Sequence, residues 1–307
     1  MKLVAIMPVR NEAWVLGLSA RAALMWCDEL LMLVHASDMA TERIATELTC
    51  EFPGRAWVSF DPDPEWREME HRQNLLEGAR DHGATHIAIV DADELLTGNL
   101  LCPDSPTCID GATTHYSAIR NLIHRLSPGH VLRVPGYNLR GSIDRYHANG
   151  IWGNRLFSLA FKDDPRANWQ GDQFHHREPF GVRNIPFVPL VGHQGGVMHL
   201  WGASERRLVA KHALYKMTER IRWPDKPAAA IDRLYNFAVH ESASDGSQYA
   251  CRWDYAGAPD AWWAPYSGLM QYLQVDAEPW QEHEAQRLLE HYGPERFDGL
   301  DLFGLAA

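Results

Sequence analysis

Cysteine is scarce and poorly placed for cross-linking. Five cysteines, at positions 27, 50, 102, 108 and 251, form no CxxC pair. An odd number without close spacing argues against a disulfide framework, so reduced thiols are expected. Long apolar runs are also missing. The longest, such as Leu30 to Val34 and Ile87 to Val90, fall far short of the roughly 20 residues that a membrane span needs. The N-terminus carries no charged, apolar, small-residue leader, and a cytoplasmic protein without a membrane span is expected. No repeat or low-complexity tract is present. With 46% of its 307 residues apolar, the chain has the composition of a soluble globular enzyme and not of a disordered, collagen-like or coiled-coil protein.

Positive charge is in deficit overall, with 29 Lys and Arg against 40 Asp and Glu, but the deficit is uneven. Residues 1–114 carry 8 basic and 19 acidic side chains, residues 115–226 carry 17 and 8, and residues 227–307 carry 4 and 13. A basic middle third in an acidic protein predicts either a positive surface for an anionic ligand or arginines paired with the acidic flanks.

The first hundred residues alternate short apolar runs with amphipathic segments. Lys2 to Met7 reads as a strand ending at Pro8, and Glu12 to Trp26 as a helix with Trp14, Val15, Leu18, Ala22 and Met25 at helical spacing. Glu29 to Val34, Ala56 to Phe60 and His86 to Val90 read as further buried strands. Thr41 to Phe52 and Glu65 to His82 are the intervening helices, with turns at Pro53-Gly54 and Gly83. Four βα repeats with near-continuous apolar strands imply an α/β layered fold with a mostly parallel sheet. In such sheets ligands collect beyond the carboxyl ends of the strands, so the loops after Met7, Val34, Phe60 and Val90 are the places to look.

Beyond about residue 110 the pattern is less regular. Thr113 to Leu126 is expected to be helical, Val131 to Pro135 and Trp152 to Phe161 strands, and Ser204 to Ile221 a long helix. The expected division is a main domain over 1–226, with halves 1–110 and 111–226, and a helical, aromatic-rich extension over 227–307. That extension contains Trp253, Trp262, Trp263, Tyr266, Tyr272 and Trp280, which read as a core packing it onto the main domain or as an acceptor-binding wall.

Asp91-Ala92-Asp93 at the end of the fourth strand is the sharpest chemical feature. Two carboxylates one residue apart at a strand terminus can offer hard oxygen ligands to Mg²⁺ or Mn²⁺ while leaving positions open for phosphate oxygens. A lone DxD also occurs as a plain loop start. Here, however, it follows a βα run that opens with Met7-Pro8-Val9-Arg10-Asn11-Glu12.

In these residues the sequence resembles the family 2 glycosyltransferases of the GT-A fold, whose first strand ends in a P-V-x-N-E type turn and whose fourth ends in the DxD. Glu70-His71-Arg72-Gln73-Asn74 is similar to that family's helix approaching the nucleotide. Arg155-Leu156-Phe157, Trp169-Gln170-Gly171 and His175-His176 are similar to a later R-L-F, W-x-G, H stretch. The likeness covers roughly residues 1–220. It implies a GT-A αβα sandwich and a metal-dependent transferase moving a sugar from a nucleotide-diphosphate donor to a hydroxyl acceptor. It further implies nucleotide-sugar contacts from Pro8, Arg10, Asn11, Glu12, His35, Asp38, Arg72, Asp91, Ala92 and Asp93.

Relatives usually place an Asp directly after the second strand to bind uracil. This chain has His35-Ala36-Ser37-Asp38, so either Asp38 takes that role or the base is read differently.

The resemblance also implies a third metal ligand from a later histidine. His199 in the apolar stretch Val197 to Trp201 is the expected one, with His193, His175 and His176 as competitors. An inverting transfer needs a carboxylate base; Asp172 is expected, with Glu178 as runner-up. Trp169, His175, His176, Arg206 and Lys211 are expected to contact the acceptor or phosphates. The last two lie on the basic helix from Ser204, which is either a solvated face or a clamp for a polyanion such as DNA carrying a hydroxylated base. A nucleotidyltransferase would usually carry a Gly-rich loop after the first strand, which Pro8 to Glu12 lacks, and a binding protein without turnover remains the reading from another class.

Overall fold

The computed structural model of the chain describes residues 1–101, 107–109, 112–114, 117–153, 155–171, 173, 176–184, 195–240 and 253–305. Contacts group the chain into two compact units. The first comprises Met1–Tyr137, Arg155–His199 and Pro259–Gln274; the second comprises Asn138–Asn154, Leu200–Ala258 and Val275–Ala307. The grouping does not follow a linear boundary at residue 226, because 259–274 belongs with the first unit while 200–226 belongs with the second.

The first unit opens with β1 (Leu3–Val9), α1 (Leu16–Leu24), β2 (Glu29–His35), α2 (Met39–Glu51), β3 (Ala56–Asp61), α3 (Glu68–Asp81) and β4 (His86–Ile89). All four strands run parallel, with β1 between β2 and β4 and with β3 outside β2. The apolar strands are buried because helices cover them, and Leu3, Val4, Ala5, Ile6 and Met7 have no accessible surface. On α3, Met69, Arg72, Leu75, Leu76 and Ala79 are buried at helical spacing. Its apolar members pack on Val4, Ile6, Leu31, Leu33, Ile87 and Ile89.

α1 and α3 start later than apolar periodicity suggests, at Leu16 and Glu68, whereas α2 starts earlier, at Met39. The Glu12 carbonyl accepts from the Val15 and Leu16 N–H groups at 3.0 and 2.8 Å ahead of α1. The Asp38 carboxylate accepts from the Thr41 N–H at 2.7 Å and caps α2.

After β4 the chain continues through β5 (Glu94–Leu96), β6 (Thr107–Ile109), β7 (Ala112–Thr114), α4 (Ser117–His124) and β8 (His130–Asn138). It goes on through β9 (Arg145–His147), α5 (Gly150–Gly153), β10 (Arg155–Lys162), β11 (Arg183–Asn184) and β12 (Val197–His199). The main sheet has the order β3-β2-β1-β4-β10-β8-β12-β5, with β11 beside β8. β10 is antiparallel to β4 and to β8, and β12 is antiparallel to β5. The expected helix over Thr113 to Leu126 shrinks to Ser117–His124, the β-branched Thr113 and Thr114 being strand residues instead. Trp152 falls in a helical turn, not in the strand that starts at Arg155. The α/β class with a parallel N-terminal half holds.

The segment 259–274, with α8 (Asp260–Trp263), belongs to the first unit's core. Trp262 and Tyr266 are fully buried, the Trp262 ring lies 4.3 Å from Tyr137, and the Tyr266 hydroxyl donates to the Leu96 carbonyl. Gly98 permits this close approach; a Cβ there would stand 2.6 Å from the Trp262 carbonyl oxygen.

In the second unit, α6 (Glu205–Arg222) packs against α7 (Ala228–Val239) and α9 (Trp280–Tyr292), and β13 (Tyr255–Gly257) pairs with β9. Ala213, Leu214 and Met217 of α6 meet Ala285, Leu288, Phe297 and Leu302 in an apolar cluster. The Arg140 guanidinium donates to the Ala238 and Val239 carbonyls at the end of α7 and to Glu205.

Candidate active site

The sheet order places a topological switch at β1 and β4. The chain winds one way from β1 through β3, then returns to lay β4 on the other side of β1, so the loops after β1 and β4 head in opposite directions, the place where ligands collect in such sheets. Pro8 to Glu12 and Asp91 to Glu94 are the residues delivered there.

The first loop is tied down by side chains. Asn11 adopts a left-handed backbone, φ 54°, and its Oδ1 accepts from the Asp38 N–H at 2.6 Å while its own N–H donates to Ser37 Oγ at 3.0 Å. The Arg10 guanidinium lies 5.6 Å from the Trp66 ring centre. Asp38 therefore serves as helix cap and as partner of Asn11, which sets its carboxylate apart from a purely base-reading role.

His35 is 1% exposed at the end of β2, beside His71 and Trp66. Burial pushes its pKa down to about 4, helped by the charges of His71 and Arg10 and opposed by the Asp63 backbone and Asp61. His71 donates or accepts through Nε2 at 3.1 Å from Asp61 Oδ2, and burial likewise lowers its pKa.

The DxD residues diverge. Asp91 Oδ1 accepts from Arg72 Nη2 at 2.9 Å and Oδ2 from Arg177 Nη1 at 3.1 Å. Burial opposes its charge, but the Arg72 and Arg177 guanidinium groups outweigh this and hold the carboxyl below the usual range. Arg72, itself buried, also donates to Glu68 Oε1 at 3.1 Å. Arg177 reaches Glu94 at 2.6 and 2.7 Å and the Ile89 carbonyl at 2.6 Å, while burial pushes Glu94 up. Both carboxylate oxygens of Asp91, expected from sequence to hold a metal, accept from arginines.

Asp93 is different. Its Oδ1 lies 3.4 Å from His199 Nε2, and the antiparallel register that sets His199 opposite Glu94 brings the two together. The Phe157 ring stands edge-on to His199 at 5.6 Å. Asp93 and His199, both expected from sequence near a metal, are thus brought side by side. A carboxylate oxygen just ahead of β5 and an imidazole nitrogen at the end of β12, facing each other, suit Mn²⁺ or a similar dication, with positions left for further oxygens.

Other expected contacts separate. Trp169 is 2% exposed and packs in the core against Phe161; its backbone N–H donates to Gln73 Oε1 at 2.8 Å and its indole N–H to the His176 carbonyl at 3.2 Å. It anchors its segment and offers no ring to an acceptor. His176 stacks on Phe180 at 4.5 Å. Glu178 is held by Arg133 through both carboxylate oxygens and also by Ser158, which disfavours it as a base. Arg206, in the second unit, pairs with Glu278 and Glu282, and Lys211 lies 6.0 Å from the Trp201 ring centre. Asp172, His175 and His193 lie outside the described residues.

Sequence reading missed Arg177, Glu94, Glu68, Asp61 and Trp66. Asp61, at the end of the third strand, was accessible to the rule that ligands gather at strand ends; Arg177 carried no signal, as its partners lie 83 and 86 residues away.

No protein-family model matches the chain, and no curated protein does. Among solved structures it is similar to S. aureus TarS 1-349 in complex with UDP, at 13% identity over 47% of this chain and 36% of that chain, TM-score 0.29. It is also similar to S. aureus TarS 1-349, at 12% identity over 97% of this chain and 89% of that chain, TM-score 0.40. The mannosyltransferase PcManGT from Pyrobaculum calidifontis in complex with GDP-Man and Mn²⁺ is similar at 16% identity over 97% and 88%, TM-score 0.36. The chain spans about a third of the length of the first of these. At such distance these likenesses carry no argument about activity. Among the described residues no helix is long and apolar enough to cross a membrane.

Proposed function

We propose that the chain is a GT-A type glycosyltransferase of the family 2 kind, transferring a sugar from a nucleotide-diphosphate donor to a hydroxyl acceptor with Mn²⁺ or Mg²⁺. The observation that carries this reading is the Asp93–His199 pair, 3.4 Å apart beside the β1/β4 switch point. Asp93 and His199 would hold the ion, which when bound supplies Lewis-acid stabilisation of the departing diphosphate. Arg72 and Arg177 neutralise Asp91 and Glu94, so the acidic loop does not repel an anionic donor. The Asn11–Asp38 and Asn11–Ser37 bonds hold the turn after β1 in place and keep Arg10 at the switch point, where its charge favours phosphate. Asp172 is the base proposed for an inverting transfer.

A polyanionic acceptor such as a hydroxylated base in DNA is the weaker form of this reading, since Arg206 is already paired with Glu278 and Glu282. The test is incubation with a panel of nucleotide-diphosphate sugars and Mn²⁺. Release of nucleoside diphosphate by the wild type, absent in Asp93→Ala, is expected. Release of pyrophosphate from nucleoside triphosphates would instead identify a nucleotidyltransferase, and binding without any release a non-catalytic protein.

A further inference from the structure

A second cluster of ligand-type side chains lies apart from the Asp93–His199 pair. His35 ends β2, Asp61 ends β3 and His71 sits in α3, and one potential ligand atom from each lies within 4.8 Å of the others. Among the described residues no other trio of histidine, cysteine or carboxylate side chains comes so close. His71 Nε2 stands 3.1 Å from Asp61 Oδ2, and the two imidazole centres are 4.4 Å apart.

Three features show that this grouping is held and not incidental. The Trp66 ring meets both imidazoles edge-on, at 5.3 and 5.5 Å, and limits their rotation. Asp61 Oδ1 accepts from the Asp63 N–H at 3.0 Å, which orients the carboxylate and leaves Oδ2 toward the histidines. The chain leaving His35 passes through Ala36 at φ 36°, an unfavourable left-handed conformation for alanine, and the Ala36 N–H binds the Asp61 carbonyl at 2.7 Å.

The polar atoms are left incomplete. Both histidines are 1% exposed, and apart from an approach of His35 to the Asp63 backbone, neither ring nitrogen of His35, nor Nδ1 of His71, makes a hydrogen bond of good geometry. Buried imidazole nitrogens are normally satisfied, and orphaned ones in a fixed cluster mark a missing partner. A cation accepts two imidazole lone pairs and a carboxylate oxygen at once, whereas a water molecule or a single proton would satisfy fewer of them.

We propose that His35, Asp61 and His71 form a binding site for a first-row transition-metal dication, with zinc the best match to two imidazoles and one carboxylate. The site is distinct from the Asp93–His199 pair and independent of the proposed transfer reaction. Two nitrogens in three ligands select against Mg²⁺ and Ca²⁺, which prefer all-oxygen surroundings. Asp61 is 26% exposed at its side chain, so solvent or an exogenous ligand can reach a remaining coordination position. A bound ion would cross-link the ends of β2 and β3 to α3. His35, expected from sequence to touch the nucleotide, would then act as a metal ligand.

The test uses the full chain, stripped with a chelator and titrated with Co²⁺ and then Zn²⁺. In the absence of nucleotide, one tightly held equivalent of Co²⁺ is expected to bind at this site with the visible absorption of nitrogen-ligated Co²⁺, to be displaced by Zn²⁺, and to raise the thermal midpoint. Asp93→Ala should keep this spectrum. His35→Gln and His71→Gln should weaken binding by about a hundredfold, the upper end of what outer-shell partners alone contribute. Circular dichroism confirms that each variant is folded. Should one histidine variant fail to fold, the other and Asp61→Asn give the same reading. Absence of the Co²⁺ spectrum in the wild type, its persistence in folded His35→Gln, or its loss in Asp93→Ala would each overturn the proposal.

Discussion

Asp91 and Asp93 stand one residue apart and are held by unlike partners: two guanidinium groups for the first, an imidazole for the second. The proposed ion site therefore rests on Asp93 and not on the arginine-paired Asp91. Asp93→Ala and His199→Ala are each expected to weaken Mn²⁺-dependent nucleotide-diphosphate binding about tenfold or more, on the order of 1.4 kcal/mol, with the fold retained. Calorimetric titration with and without Mn²⁺ measures this, and unchanged metal stimulation in both variants would remove the pair from the site. Arg72 behaves differently. Replacing it by leucine removes the Arg72 partner of buried Glu68 and strips Asp91 of one of its two cations. A loss of about 3–5 kcal/mol is expected for breaking such a buried network, read as a lower denaturation midpoint, whereas a loss below about 1 kcal/mol would mean the charges relax to solvent.

At the scale of elements, α2 supplies a way to separate capping from recognition. Removing the Asp38 carboxylate in Asp38→Ala costs the cap, about 1 kcal/mol, while the Asn11 bond to the backbone N–H of residue 38 survives. Loss of stability with nucleotide affinity unchanged is the expected result; a fall in affinity at constant stability would return Asp38 to the base.

The strands β1 to β4 were legible because parallel strands covered on both faces need unbroken apolar runs, and such runs stand out. The switch point followed from the motif positions once the strand order was known. β5 was not legible, because three residues after the DxD form a strand only through pairing with β12, about a hundred residues later. The helix α7 was not read from the sequence either, although its apolar residues recur at helical spacing; only Ile231 and Ala238 in it are buried. The ion pairs of Asp91 and Arg206 could not be read at all, since charge carries no record of which partner it meets. Here the acidic tail cancels part of the basic ridge on α6, the alternative left open by the uneven charge distribution.

For the whole chain, the strongest environmental dependence is expected on the acid side. His86 on β4, His147 on β9 and His212 on α6 are each buried, which drives their pKa values down to about 4, about 4 and about 3. In the unfolded chain each titrates near 6.5. Above that pH both states are neutral at these sites and stability does not depend on them. Below it the unfolded chain takes up protons that the fold refuses, so stability falls as pH drops through 6.5 toward 4. By linkage each histidine accounts for about 2 kcal/mol between pH 7 and pH 5, before any discount for local relaxation. The lowered values of Glu29, Asp61 and Asp91 act in the same direction at lower pH, and Glu94 opposes them. His212 provides the control: its Nδ1 binds only the Leu208 carbonyl of its own helix, and its ring packs among Trp201, Tyr215 and Tyr235, where an aromatic ring is accommodated. Urea unfolding of His212→Phe at pH 7 and pH 5 should show a smaller loss than the wild type, by about one histidine's share. An equal loss in both would mean that this imidazole is charged in the folded protein and that burial does not govern its protonation.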